Sequence, residues 1–157
     1  MAKRAKKYWL VKSEPNAYSI DDLERDGTTP WDGVRNYQAR NTMRDDMKVG
    51  DLVLFYHSNA KPPAAVGVAE VASPPYPDAL QFDKRSRYHD PKSDPANPTW
   101  ILVDMAFSSK FAKPVPLADL KANRSLEGMT VTQRGVRISV MPVLKKHFDA
   151  VVKMGSA

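Results

Sequence analysis

Eight of the chain's thirteen prolines fall between Pro62 and Pro98. Proline fixes φ at about −65° and supplies no backbone donor, so this stretch holds neither a continuous helix nor much interior strand. Val66–Val71 reads as one strand inside it, and the remainder reads as loop. A loop of that length in a compact domain is functional or disordered. The regular structure must lie on either side.

A chain of 157 residues is one domain in length. The reading is a basic arm over 1–7 followed by a single domain over 8–157. Hydrophobic residues make up 42%, enough for a core, and the absence of Cys excludes a disulfide framework and thiolate chemistry. No apolar run approaches the roughly 18 residues of a membrane span. A soluble, cytoplasmic protein without membrane association is expected. The net charge is +6, and Lys3, Arg4, Lys6 and Lys7 crowd the N-terminus. Such an arm binds phosphate backbone, directs a protein to the nucleus, or simply frays in solvent.

Local patterns predict the elements. Tyr8–Val11 is a short aromatic and β-branched strand that stops before Pro15. Ser19, followed three residues later by Asp22, opens a helix over Ile20–Asp26, and Gly27 closes it. Thr28–Gly33 reads as turn. A second helix over Asn36–Lys48 carries Ala39, Met43 and Met47 on one stripe, with Arg40, Arg44 and Lys48 beside it. Leu52–Tyr56 is continuously apolar, as in a strand covered on both faces. Further strands are predicted over Trp100–Phe107 and Val136–Val140, and helices over Leu117–Ala122 and Val143–Met154, the last closed by Gly155. The class is α+β with a mixed or antiparallel, barrel-like sheet.

Several chemistries are excluded by pattern. His57, His89 and His147 show no metal-ligand spacing, the glycines are isolated, and no Gly-x-Ser-x-Gly elbow exists. Neither Asp21-Asp22 nor Asp45-Asp46 can face its neighbour on a helix as an acid/base pair. No metal, cofactor or catalytic constellation is expected. The most informative run is Trp31–Asn41. Trp31, in a turn, offers a stacking face; Asn36 and Gln38 offer the paired donors and acceptors that read a base edge. Arg35, Arg40 and Arg44 suit phosphate contacts or planar stacking. The alternative is that Trp31 plugs the core and the arginines form a solvated face with Asp45 and Asp46.

The runs Tyr8–Pro15, Tyr18–Leu23, Trp31–Asn41, Met47–Asp51, Phe55–Asn59, Gly67–Val71, Tyr88–Ser93 and Arg137–Val140 together resemble the EVE domain of the PUA-like superfamily. His89 stands where a second aromatic is usual. The resemblance covers Tyr8 to about Met154. It implies a small curved barrel flanked by helices, and binding of DNA or RNA that carries a modified base, flipped into a pocket and methylated or hydroxymethylated. Trp31 would stack on that base: extrusion costs a few kcal/mol, and stacking returns about 1–3 kcal/mol.

On this mapping Ser13, Glu14 and Asn36 hydrogen-bond the base edge, with Pro15, Val34 and Arg35 in the same wall. Tyr56, His57 and Ser58 line the opposite wall, and Tyr88, Asp90 and Lys92 close the pocket. Lys3, Arg4, Lys6, Lys7, Arg40, Arg44, Arg85 and Arg87 hold the backbone. The structural alternatives are a core role for Tyr56, a mere turn at Asp90-Pro91, and ordinary surface at Arg40 and Arg44. Trp31→Ala is expected to abolish binding and leave the Tm within a few degrees. Competing functions are an enzyme acting on nucleic acid, with Glu14 or His57 as general base, and a small-metabolite binder.

Overall fold

The computed structural model describes residues 5–156, so the calls on Lys3 and Arg4 lie outside the described residues. The first strand, β1 (Tyr8–Ser13), extends two residues past its predicted end before Pro15 intervenes. Helix α1 (Ile20–Asp26) has the expected capping box. Ser19 Oγ accepts from the Asp22 N–H at 3.1 Å, and the Asp22 carboxylate accepts from the Ser19 N–H at 2.9 Å. Ile20 and Leu23 are its buried face.

The turn-rich stretch begins with a short strand that the sequence did not predict, β2 (Thr28–Pro30). Helix α2 (Tyr37–Asn41) starts at Asn36, whose side chain accepts the Ala39 N–H at 2.9 Å. It continues as a π-helical turn over Thr42–Asp46, so the predicted single helix is regular only in its first part. The Ala39, Met43 and Met47 stripe is buried throughout.

Next come β3 (Leu52–His57), β4 (Ala64–Val71), β5 (Tyr76–Pro77), β6 (Ile101–Leu102), β7 (Asp104–Pro116), α3 (Leu117–Ala122), β8 (Val140–Val143) and α4 (Lys145–Ser156). Three predicted boundaries are corrected here. The strand expected over Trp100–Phe107 breaks at Val103, because Ile101 and Leu102 pair with β5 whereas Asp104–Ala106 pair with β2. Val103 turns its carbonyl to the Trp31 N–H instead, at 3.0 Å. The strand expected over Val136–Val140 begins only at Val140 and runs through Pro142 to Val143. Finally, Gly155 does not end the last helix but lies within it. A Cβ there would come within 2.4 Å of the Phe111 ring, so the helix rests on that ring through a bare backbone.

The six-stranded sheet has the order β2-β7-β4-β3-β1-β8 and curls into a half-barrel. Only β1 and β3 run parallel, their crossover formed by α1, β2 and α2; the other pairs are antiparallel. Both edges carry a proline, Pro30 in β2 and Pro142 in β8, where a missing donor costs least and discourages further pairing. That edge position is why Pro142 does not interrupt β8.

Residues alternate between two cores. Trp9, Val11, Val53 and Phe55 face α1 and α2, while Leu10, Leu54 and Tyr56 face α3 and α4. The continuous apolar run of β3 therefore serves both faces, as predicted. Each fully buried aliphatic or aromatic side chain there contributes about 1.5–3 kcal/mol. Buried Asp51 ties the start of β1 to that of β3, its carboxylate accepting from the Trp9 indole N–H (3.0 Å) and the Lys7 and Lys48 backbone N–H groups. Among the described residues, no helix is long and apolar enough to cross a membrane.

Candidate functional site

Where β1 ends, the loop after β2 and the proline-rich segment converge on a cleft of about 550 Å³. Its walls include Ser13 at the end of β1 and Glu14 just after it, the run Thr29–Asn36, and Arg87 and Tyr88 from the long loop. That volume falls within the range of about 300–1,000 Å³ typical of small-ligand sites.

Trp31 belongs both to this cleft and to the core. The ring meets Phe55 edge-on with centroids 5.6 Å apart, and the residue is 8% exposed. The two sequence readings of Trp31 are thus not exclusive. One consequence is corrected: Trp31→Ala empties part of the core, so the Tm cannot stay within a few degrees.

The long loop is folded around its own polar centre. Gln81, fully buried, donates to the Asp78 and Trp100 carbonyls at 2.8 Å and accepts from the Ser93 hydroxyl (2.6 Å) and the Trp100 N–H (2.9 Å). These four bonds use the whole capacity of an amide. Asp78 then connects loop to cleft. Its Oδ2 accepts from the Gly33 N–H (2.9 Å) and Arg35 Nη1 (3.0 Å). Arg35 also grips the Tyr88 carbonyl with Nε and Nη2, at 3.0 and 2.9 Å, and lies over the Tyr88 and Trp100 rings. Its guanidinium therefore clamps the long loop to the cleft wall. Gly33 permits this closeness: its φ is +78°, and a Cβ would fall 2.9 Å from the Tyr88 ring.

Of the residues singled out from sequence, Ser13, Glu14, Trp31, Val34, Arg35, Asn36 and Tyr88 meet in the cleft, and Arg87, assigned to backbone, joins them there. Ser13 Oγ donates to the Tyr18 carbonyl at 2.6 Å. Pro15, Tyr56, His57, Ser58, Asp90 and Lys92 do not line it. Tyr56 is buried in the core on the other sheet face, since its neighbour Phe55 takes the cleft side. His57 Nε2 accepts the Ile20 N–H at 3.1 Å, which removes it as a free general base; burial pushes its pKa down. Ser58 continues the β1–β3 pairing by donating its N–H to Ser13. Asp90 accepts from the Trp100 indole N–H (2.8 Å) and the Lys92 N–H, and the indole bond holds its carboxyl below the usual range.

The basic residues divide similarly. Arg40 donates to the Thr99 carbonyl at 2.8 Å and covers the exposed Tyr37 ring, which stacks on Trp100. Arg44 pairs with Asp45 at 2.8 Å. Arg87 lies over Tyr88 at 4.9 Å, at the cleft. Lys6, Lys7 and Arg85 are exposed.

Two charged cleft residues had not been assigned a role from sequence. Lys12 lines it, with its amine pushed below the ordinary lysine value by burial. Asp32 lines it too, and burial beside the Asp78 carboxylate raises its pKa. Asp32 stood within the most informative run, but nothing local distinguishes it from a turn aspartate. Its unusual surroundings come from Asp78, 46 positions away. Among the described residues, no group of three His, Asp or Glu side chains is placed to hold a metal ion.

The EVE domain model matches residues 7–154. Human thymocyte nuclear protein 1 is 38% identical over 171 residues, covering 97% of this chain and 75% of the relative. A hypothetical protein from Leishmania major superposes with a TM-score of 0.90 at 47% identity, covering 96% of this chain and 95% of that one. Human THYN1 protein, in complex with DNA containing 5-methylcytosine, superposes with a TM-score of 0.88 at 37% identity, covering 97% and 99%.

Proposed function

Because the chain belongs to the EVE domain family, with the fold of its PUA-like members, we propose that it binds nucleic acid and takes a modified base into the Trp31 cleft. The modification is a methyl or hydroxymethyl group on cytosine. The observation that carries this reading is the cleft itself: a recess with room for a base, which joins a tryptophan to hydrogen-bonding groups from three segments. The DNA complex of the human protein supports the choice of ligand.

The roles follow from the chemistry. Trp31 supplies apolar surface for the base, worth about 1–3 kcal/mol against the cost of extrusion. Asn36 spends its carbonyl oxygen on capping α2, so its amide nitrogen is what remains to donate to a base acceptor. Arg87 at the cleft, with exposed Arg85 two residues before it, provides positive charge for the phosphates.

Tryptophan fluorescence titration tests the reading. The ligands are matched oligonucleotides, single- and double-stranded, carrying cytosine, 5-methylcytosine or 5-hydroxymethylcytosine, at two salt concentrations. Tighter, salt-sensitive binding of a modified strand is the expected result. Equal weak binding of all strands would mean that only the basic surface is at work, and binding independent of salt would point to a free metabolite.

A further inference from the structure

Asp32 and Glu14 are the cleft carboxylates that no other described residue hydrogen-bonds, and Asp32 stands next to Trp31 in the loop that also carries Asn36. Its neighbours in the run are engaged elsewhere: Trp31 with the core, Gly33 and Arg35 with Asp78, and the Asn36 carbonyl oxygen with the cap of α2. The Asp32 carboxylate accepts nothing from any other described residue, although it lines the cleft beside Asp78. Desolvation and the Asp78 carboxylate push its pKa up, against the opposing pull of its own backbone N–H and the Arg35 charge. A carboxylate at the cleft, one residue from Trp31 and with free acceptor capacity, is a candidate for ligand recognition.

The cleft then presents two complementary groups within one short loop. Asp32 offers an acceptor and Asn36 retains a donor. A 4-amino pyrimidine has an exocyclic N–H donor next to a ring nitrogen acceptor, whereas a 4-oxo pyrimidine has the reverse. We propose that the Asp32 carboxylate selects cytosine-type bases over thymine and uracil by accepting a hydrogen bond from the 4-amino group. This deepens, and rests on, the reading of the cleft as a base pocket. Carboxylate acceptance from cytosine N4 is an established recognition chemistry, and a correct contact discriminates by about tenfold or more. A 4-oxo base would set its oxygen against the carboxylate.

The test uses 5-methylcytosine and thymine, which carry the same 5-methyl group and differ at position 4. Each is placed in the same duplex opposite an abasic site, so that unpairing does not separate them. Affinities are measured for the wild-type chain, Asp32→Asn and Asp32→Ala, with unmodified cytosine as reference. The wild type is expected to favour 5-methylcytosine over thymine about tenfold or more. Asp32→Asn is expected to bring the two within about threefold of each other, because its amide can turn an N–H to the 4-oxo group. Asp32→Ala is expected to weaken 5-methylcytosine binding and to strengthen thymine binding, because the opposed carboxylate is gone. The Tm of Asp32→Asn is expected to equal or exceed that of the wild type. An undiminished 5-methylcytosine preference in Asp32→Asn would overturn the role of Asp32 while leaving the pocket reading intact. A wild type that does not separate 5-methylcytosine from cytosine would overturn the modified-base reading itself.

Discussion

The Arg35 guanidinium and the Asp78 carboxylate, 43 positions apart, meet at 3.0 Å with 3% of the Asp78 side chain exposed. This pair joins the loop that carries Trp31 to the proline-rich segment that carries Tyr88. Arg35→Ala removes the partner of a buried charge, so a loss of about 3–5 kcal/mol is expected in urea unfolding. Arg35→Lys recovers little, because an ammonium can neither grip the Tyr88 carbonyl with two parallel bonds nor lie flat over Trp100. Full recovery with lysine would show that charge alone holds the loop.

Trp31 is expected to affect stability and binding together. Trp31→Ala should cost about 3–5 kcal/mol by cavity formation. Trp31→Phe keeps most of the contact with Phe55, so its unfolding midpoint should fall less while its affinity for the modified strand drops. Denaturant midpoints and affinities measured on both variants separate the two roles.

Histidine 57 sets a pH dependence. The folded state favours its neutral form, since burial lowers its pKa and its Nε2 accepts the Ile20 N–H. The unfolded chain takes up a proton near the ordinary value of about 6.5. Between that value and the lower folded value the unfolded state binds more protons, so stability falls as pH drops through this window. His147 is also held low by burial and acts with the same sign. The informative quantity is therefore the difference between wild type and His57→Gln. Glutamine keeps an acceptor without a titrating proton, and its stability curve should be flatter below pH 6.5. Superimposable curves would remove His57 from the account.

Gly33 lies directly against the Tyr88 ring in the cleft wall. Gly33→Ala combines a strained φ of +78° with a Cβ placed 2.9 Å from the Tyr88 ring. Displacement of Tyr88 is expected, with a loss of about 1 kcal/mol or more and weaker oligonucleotide binding. An NMR amide map should place the change in the residues around Tyr88 and leave β3 unmoved.

What was legible in the sequence was local. The Ser19–Asp22 box, the Ala39–Met43–Met47 stripe and the two-faced β3 run each depend on spacing within one element, and each stands in the structure. The misread elements depend on partners. β2 is a strand because β7 lies beside it, and Pro142 is tolerated because β8 is an edge. Gly155 is buried because Phe111 packs there. The cleft divides in the same way: Trp31, Asn36 and Glu14 stood out by type and setting. Asp78 and Gln81 organise the site from a loop whose sequence announces only its prolines, and Asp32 acquires its character from Asp78. Tyr56 and His57 looked like cleft residues because strand ends often are, but alternation and the α1 contact turn them elsewhere.

The central claim is that a modified cytosine enters the Trp31 cleft. The most direct measurement is the NMR signal of a ¹³C-labelled 5-methyl group in a 5-methylcytosine oligonucleotide, recorded with and without the protein. Entry into the cleft predicts a large upfield shift of the methyl resonance from the indole ring current, with nuclear Overhauser contacts to Trp31, and loss of both in Trp31→Phe. A methyl resonance that stays in place while amide signals move only around Lys6 and Lys7 would contradict the account.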